Sequence, residues 1–188
     1  MKIVLASNSP RRRELLENLG LCFEVMPPEF EEELENDDFS YEVIENFALG
    51  KARSLVEKVG EEVVIIGADT VVVCDGKILG KPKDEEDALK MLKLLNGRTH
   101  KVVTSVCVIF KHKTTLQTRV KSTTTQVTFN ELTDRQLRDY IEGYKPLDKA
   151  GAYGIQELPE YFVKEIKGDF DNVIGLPCKT LRELVVSS

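Results

Sequence analysis

Val63-Val64-Ile65-Ile66-Gly67-Ala68-Asp69-Thr70-Val71-Val72-Val73-Cys74 is the stretch on which the fold turns. β-Branched residues dominate it, and continuous apolar runs of this kind belong to strands buried on both faces. It therefore reads as a central strand with helices packed against it. Asp69 interrupts the run. A lone ionised carboxylate is costly to bury, so Asp69 must emerge at a turn, pair with a cation or hold a metal. A strand break in which backbone amides satisfy the carboxylate is the structural alternative. Gly67 permits an unusual backbone angle or the close approach of a ligand. Asp75-Gly76 then closes a hairpin onto Lys77-Ile78-Leu79.

Upstream, residues 3–6 form a short apolar strand that enters the polar turn Ser7-Asn8-Ser9. Ser9 suits an N-cap and Pro10 the first helical position, so a helix opens at Arg11, Arg12 and Arg13 and ends near Gly20. Free backbone donors, serine hydroxyls and guanidinium groups thus converge at one strand end, which is the chemistry a phosphate chain requires. Solvated arginines on an ordinary strand-turn-helix are the plain alternative. Residues 22–26 read as a second strand, stopped by Pro27-Pro28. Ser40 caps a helix running to about Val59, with Ile44, Phe47, Ala48 and Leu55 at helical spacing. Lys51 sits in its middle, where a side chain snorkelling over apolar surface competes with a functional one.

Downstream, Gly80-Lys81-Pro82 is a loop and Asp84 caps a helix that Asn96-Gly97 ends. Residues 102–110 and 116–129 alternate as strands paired antiparallel around Lys111-His112-Lys113. Thr99, His100 and Thr104 stand at the entry to the first, where a hydrogen-bonded structural role is the expectation. A helix from about Asp134 closes at Gly143. Residues 146–156 break the pattern with two glycines among Asp148, Lys149 and Gln156, a loop able to approach a ligand closely. Residues 161–166 are a strand, and residues 178–186 a final helix. The whole, residues 1–188, reads as one α/β domain with a mixed, twisted sheet flanked by helices.

Composition sets bounds on function. With 188 residues, 41% hydrophobic and 31% charged, the chain suits one buried core. No apolar run approaches the ~20 residues needed to span a bilayer. The apolar stretch before Ser7 is too short for a secretory signal, so a cytoplasmic location with no membrane partner is expected. The net charge of −6 is concentrated in Glu29, Glu31, Glu32, Glu33, Glu35, Asp37 and Asp38, which leaves room for an electropositive pocket elsewhere. Cys22, Cys74, Cys107 and Cys178 lack metal-ligand spacing and read as reduced core residues.

Arg11, Arg12, Lys51 and Lys81 offer positive charge, while Glu32 and Asp69 could hold a divalent cation. A phosphate chain needs this mixture: cations neutralise its oxygens, and carboxylates hold Mg²⁺ or Mn²⁺ against charge growing on a leaving pyrophosphate. No serine-histidine-acid set and no GxxxxGK[ST] loop is present, which counts against covalent hydrolysis and P-loop chemistry.

Ser7-Asn8-Ser9-Pro10-Arg11-Arg12, Lys51-Ala52, Gly67-Ala68-Asp69-Thr70, Leu79-Gly80-Lys81-Pro82, Asn96-Gly97-Arg98-Thr99-His100, the run from Asp148 to Gln156, and Gly175-Leu176-Pro177 come in this order over nearly the whole chain. Together they resemble the Maf family of nucleoside triphosphate pyrophosphatases. The resemblance implies an elongated, two-lobed fold related to the inosine triphosphate pyrophosphatases, with substrate in the cleft between the lobes. It implies metal-assisted attack of water on a nucleoside triphosphate, giving the monophosphate and pyrophosphate. The dTTP and UTP branch is the one resembled, with modified pyrimidine nucleotides as further candidates.

Carried over by position, Asp69 looks like the proton acceptor, and Arg11, Thr70 and Gln156 resemble the positions associated with substrate choice. Ser7, Arg12, Lys51 and Lys81 look like phosphate contacts, and Glu32 and Asp69 like metal-associated carboxylates. A one-residue slip in the acidic run would exchange Glu32 for Glu31 or Glu33. Lys145 stands where the family often has glutamate, and Asn8 where it often has glycine. Lys51, Lys81 and the metal are expected to keep Asp69 ionised. The family also suggests a homodimer with no nucleic-acid partner. Two rivals remain: a nucleotidyltransferase, whose LAGGxxxR opening Ser7-Asn8-Ser9-Pro10 lacks, and a non-catalytic nucleotide-binding regulator of septum formation.

Overall fold

The computed structural model describes residues 1–33 and 36–186; Glu35 of the acidic run lies outside them. The chain passes through β1 (Lys2–Ala6), α1 (Pro10–Asn18), β2 (Glu24–Met26), α2 (Tyr41–Arg53), β3 (Glu62–Cys74), β4 (Lys77–Leu79) and α3 (Glu85–Leu95). It continues through β5 (Thr99–His112), β6 (Thr115–Phe129), α4 (Asp134–Tyr144), β7 (Val163–Lys167), α5 (Phe170–Ile174) and α6 (Cys178–Val186). The caps read from sequence are in place: Ser9 accepts from Arg12 N, Ser40 from Val43 N and Asp84 from Asp87 N. Helix α2 stops at Arg53 rather than near Val59. There the Ser54 hydroxyl donates to the Lys51 carbonyl at 2.8 Å, satisfying a helix-end acceptor, and a 3-10 turn over Val56–Lys58 follows. A further helix, α5, appears where sequence gave only a lead-in to α6; Asp169 caps it. Cys74, Cys107 and Cys178 are buried and free, but Cys22 is exposed and not a core residue.

Among the described residues the strands form one mixed, mostly antiparallel sheet of seven, ordered β2-β1-β3-β5-β6-β7, with β4 also on β3. Strand β3 runs unbroken through Asp69. Its partner β5 accompanies it throughout this region, with Asp69 opposite Ser105 and Thr70 opposite Thr104. Its other edge is shared. Parallel β1 covers it as far as Ala6 opposite Gly67, and antiparallel β4 begins with Leu79 opposite Val72. Residues 68–71 have no strand partner on that edge among the described residues. The sheet thus carries a notch, and β1 and β4 both end at it.

Alternation along β3 sends odd and even residues to opposite faces. Val63 and Ile65 pack on Ala48 and Ala52 of α2, and Val71 and Val73 on Ile44 and Phe47. On the other face Val64, Ile66 and Ala68 meet Leu15 and Leu16 of α1 and Leu181 and Leu184 of α6, while Val72 and Cys74 join α3 and α4. A polar belt crosses the sheet between these clusters. Asp69, Ser105 and Ser122 form it on the α2 face, and Thr70, Thr104 and Thr123 on the other. Ser105 and Ser122 share a 2.7 Å hydrogen bond, and Ser122 donates to Glu45 at 2.8 Å. The apolar core is therefore split in two on both faces, and the division falls at the level of the notch.

Candidate active site

A cleft of about 550 Å³ opens over the notch. Ser7, directly after β1, and Lys81, just beyond β4, stand on its two sides. Every site residue named from sequence lines it: Ser7, Arg11 and Arg12 from the β1–α1 turn, Glu32 and Lys51 from the α2 side, Asp69 and Thr70 from β3, and Lys81 and Gln156 from loops. Sequence placed them together by resemblance; the register of β1 and β4 on β3 brings them together physically.

On the α2 face one ammonium joins two carboxylates. Lys51 Nζ contacts both Asp69 Oδ1 and Glu32 Oε1. Lys51 and Asp69 are 8% and 4% exposed, so this lysine is no surface snorkel. Two glycines make the meeting possible. A Cβ on Gly67 would lie 2.4 Å from the Ala48 carbonyl oxygen and 2.9 Å from the Ala52 amide nitrogen. Gly67 thus serves the close approach of α2 to β3 rather than of a ligand. Likewise a Cβ on Gly50 would lie 2.2 Å from the Phe30 ring, so Gly50 is the seat that anchors the segment carrying Glu32. Of the acidic run, it is Glu32, not Glu31 or Glu33, that reaches the cleft and Lys51.

Burial raises the Asp69 carboxyl above its ordinary 3.8, with Glu32 adding to the effect, and outweighs the opposing pull of Lys51 and Arg12. Lys51 pulls in the expected direction, and burial is the larger effect. Glu32 is desolvated too, but its side chain is 44% exposed against 6% for Asp69. The Lys51 ammonium, helped by Lys81, therefore holds it below 4.5.

On the other face Arg12 is fixed by the protein itself. Its Nε donates to the Gly175 carbonyl at 2.8 Å and its Nη2 to the Thr70 hydroxyl at 3.0 Å. Burial lowers its pKa, against the attraction of Asp69 and Glu32, yet a guanidinium stays charged. Ser7 is buried, and its hydroxyl accepts from the Ser9 amide at 3.0 Å, tightening the turn that presents α1. Lys81 and Gln156 are exposed at the rim and Arg11 is half-buried.

The loop after α4 brings one group that sequence mentioned without assigning. Lys149 is 6% exposed and lines the cleft, its ammonium 2.9 Å from Asp148 and 3.0 Å from Glu157. A lysine between two glycine-flanked turns gives no sequence sign of such burial. His100 lies in the core, hydrogen-bonded to the Tyr153 hydroxyl at 2.7 Å and pushed down to about 4 by burial, and does not line the cleft.

Among the described residues no group of three or more His, Cys, Asp and Glu side chains is gathered to hold a metal. Asp69 Oδ2 is nevertheless buried without a hydrogen-bond partner, beside a second carboxylate. Two carboxylates with phosphate and water oxygens completing the shell is the donor set Mg²⁺ takes in nucleotide sites, so these residues fit such an ion. No helix among the described residues is long and apolar enough to cross a membrane.

Residues 2–187 match the protein family described as Maf-like protein. A protein named dTTP/UTP pyrophosphatase from Clostridium botulinum (strain Alaska E43 / Type E3) is 48% identical over 188 residues, covering 98% of each chain. One of the same name from Alkaliphilus oremlandii (strain OhILAs) is 46% identical over 176 residues, 94% of this chain and 90% of its own. Among solved structures, a nucleoside-triphosphatase / dITP/XTP pyrophosphatase from Mycobacterium abscessus aligns with 70% of this chain and 76% of its own, at 21% identity and a TM-score of 0.43.

Proposed function

The chain belongs to the Maf family, and from that membership we propose that it hydrolyses nucleoside triphosphates between the α and β phosphates. The products are the monophosphate and pyrophosphate, with dTTP and UTP the preferred substrates and modified pyrimidine nucleotides further ones. The observation that carries the reading is Asp69, a buried carboxylate with one oxygen held by Lys51 and the other unpartnered, set in a cleft ringed by Arg11, Arg12 and Lys81.

In this reading Asp69 accepts the proton of the attacking water. Lys51 fixes Oδ1, which leaves Oδ2 for the proton, and burial, which raises the Asp69 pKa, makes it a stronger base than an exposed aspartate. Arg12, with Nε and one Nη2 hydrogen committed, keeps its Nη1 hydrogens and the second Nη2 hydrogen for phosphate oxygens, and Ser7, Lys51 and Lys81 bind the rest of the chain. Asp69 and Glu32 would hold a divalent cation, Mg²⁺ or Mn²⁺, which when bound offsets charge on the leaving pyrophosphate. Arg11 and Gln156 stand at the rim to sense the base, with Thr70 behind them. A cytoplasmic homodimer without a nucleic-acid partner completes the proposal.

One assay tests it: the protein with dTTP or UTP and Mg²⁺ or Mn²⁺. Monophosphate and pyrophosphate without any acceptor support hydrolysis. Transfer that depends on an acceptor would make it a nucleotidyltransferase, and binding without turnover a regulator.

A further inference from the structure

Thr104 on β5 has no exposed surface and stands one strand in from the notch. Nothing in the proposed reaction uses it. A threonine hydroxyl has one hydrogen to give. The Asn172 carbonyl, which can only accept, lies 3.0 Å away and takes that hydrogen. In its 2.9 Å contact with Thr70, Thr104 is therefore the acceptor and Thr70 the donor. With its own hydrogen given inward, Thr70 accepts from Arg12 Nη2 at 3.0 Å. Its 3.4 Å approach to the Gly175 carbonyl is the longer, weaker choice. The bonds run one way, from Arg12 to Thr70 to Thr104 to the Asn172 carbonyl, and each donation makes its donor a better acceptor.

The far end of this chain is anchored. Asn172 is fully buried, and its side-chain amide donates to the Val102 carbonyl and to the Thr125 hydroxyl, both at 3.0 Å. Asn172 belongs to α5, and Gly175, which takes Arg12 Nε, ends the same helix. Arg12 is thus held at two points by one element, directly and through two threonines.

We propose that Thr104 is a positioning residue for Arg12: acting through Thr70, it fixes the rotation of the guanidinium that meets the phosphate chain. This rests on the reading of the cleft as a triphosphate site. It also recasts Thr70. A hydroxyl whose one hydrogen goes to Thr104 has no donor left for the nucleotide base, so its bearing on substrate choice runs through Arg12.

Two readouts test the proposal: calorimetric binding of inorganic tripolyphosphate, which has no base or sugar, and pyrophosphate release from dTTP. Thr104→Val keeps the volume and cuts the chain; Thr104→Ser keeps the hydroxyl. The expected result for Thr104→Val is tripolyphosphate binding weakened about tenfold and KM raised similarly, with kcat within about twofold. Thr104→Ser should match the wild type. In an Arg12→Ala background Thr104→Val should change nothing further. Unweakened binding by Thr104→Val, or an equal loss in the Arg12→Ala background, overturns the proposal. Should Thr104→Val not fold, Thr104→Ala removes the same hydroxyl and takes its place in every comparison. Coupled tripolyphosphate binding without pyrophosphate release from dTTP upholds this inference and rejects the proposed reaction. Normal release with Thr104 uncoupled from Arg12 does the reverse.

Discussion

Lys51 in α2 and Asp69 in β3, 18 residues apart, meet as a buried ion pair at the level of residues 68–71, where among the described residues β3 has no strand on the edge that β1 and β4 share. The lysine has two carboxylates to satisfy, so neither is fully neutralised, and the more buried of the two keeps an oxygen unpaired.

Asp69→Asn removes the proposed base and leaves Lys51 its contact with Glu32. The variant is expected to fold and to bind nucleotide, while pyrophosphate release from dTTP falls by about a thousandfold. Release at the wild-type rate would remove Asp69 from the chemistry.

The two carboxylates predict opposite pH effects. Asp69 is raised by burial, so the folded protein binds this proton more tightly than the unfolded chain, and stability from this group falls as pH climbs from 3.8 through the higher folded value. Glu32 is lowered by Lys51 despite its desolvation; its contribution is present above 4.5 and lost as pH drops through the lowered value. Asp69→Asn abolishes the first effect. Urea unfolding at about pH 4 and about pH 7 should therefore show the variant gaining on the wild type as pH rises. The wild-type kcat should rise with pH through an inflection above 3.8. A constant stability difference between the two proteins would contradict the burial of a charged Asp69.

Gly67→Ala places a methyl against the Ala48 carbonyl and the Ala52 amide. Backbone cannot yield as a side chain does, so α2 must lift from β3, carrying Lys51 away from Asp69. The expected cost is about 3 kcal/mol in urea unfolding, accompanied by loss of turnover. Gly60→Ala, which meets nothing within 4 Å, is the control and should stay within about 0.5 kcal/mol.

Arg11→Trp replaces a half-buried cation at the cleft with an aromatic plane. Its expected effect is on choice among nucleotides, read as the kcat/KM ranking of dTTP, UTP, CTP and GTP derivatives. An unchanged ranking would take Arg11 out of selection.

Local chemistry was legible in the sequence wherever it sufficed to determine structure. Ser9 before Pro10, Ser40, Asp84 and Asp75-Gly76 each announced the element they begin or close, because a cap or a tight turn is satisfied within a few residues. The site residues followed by resemblance, and each lies in the cleft. What sequence could not supply is register. For Asp69 the sequence left a turn, a cation partner, a metal and a strand break all open; β3 continues through it because β5 pairs it on one side and Lys51 meets its charge from a helix. Gly67 looked like room for a ligand, and only the position of α2 makes it room for a helix. Lys149 carries no local mark of burial, and the Asn172 carbonyl that takes the Thr104 hydrogen lies 68 residues away in sequence, near only through folding.

The gap in the outer edge of β3 has a consequence for engineering. A sheet gains stability from every strand that completes it, and the obvious way to stabilise this one is to lengthen β1 past Ala6 or β4 past Leu79 until residues 68–71 are paired. That improvement would build backbone into the cleft itself. Here the working part of the molecule is a vacancy in the hydrogen-bond lattice, so a chain selected for stability alone would be expected to close its own active site.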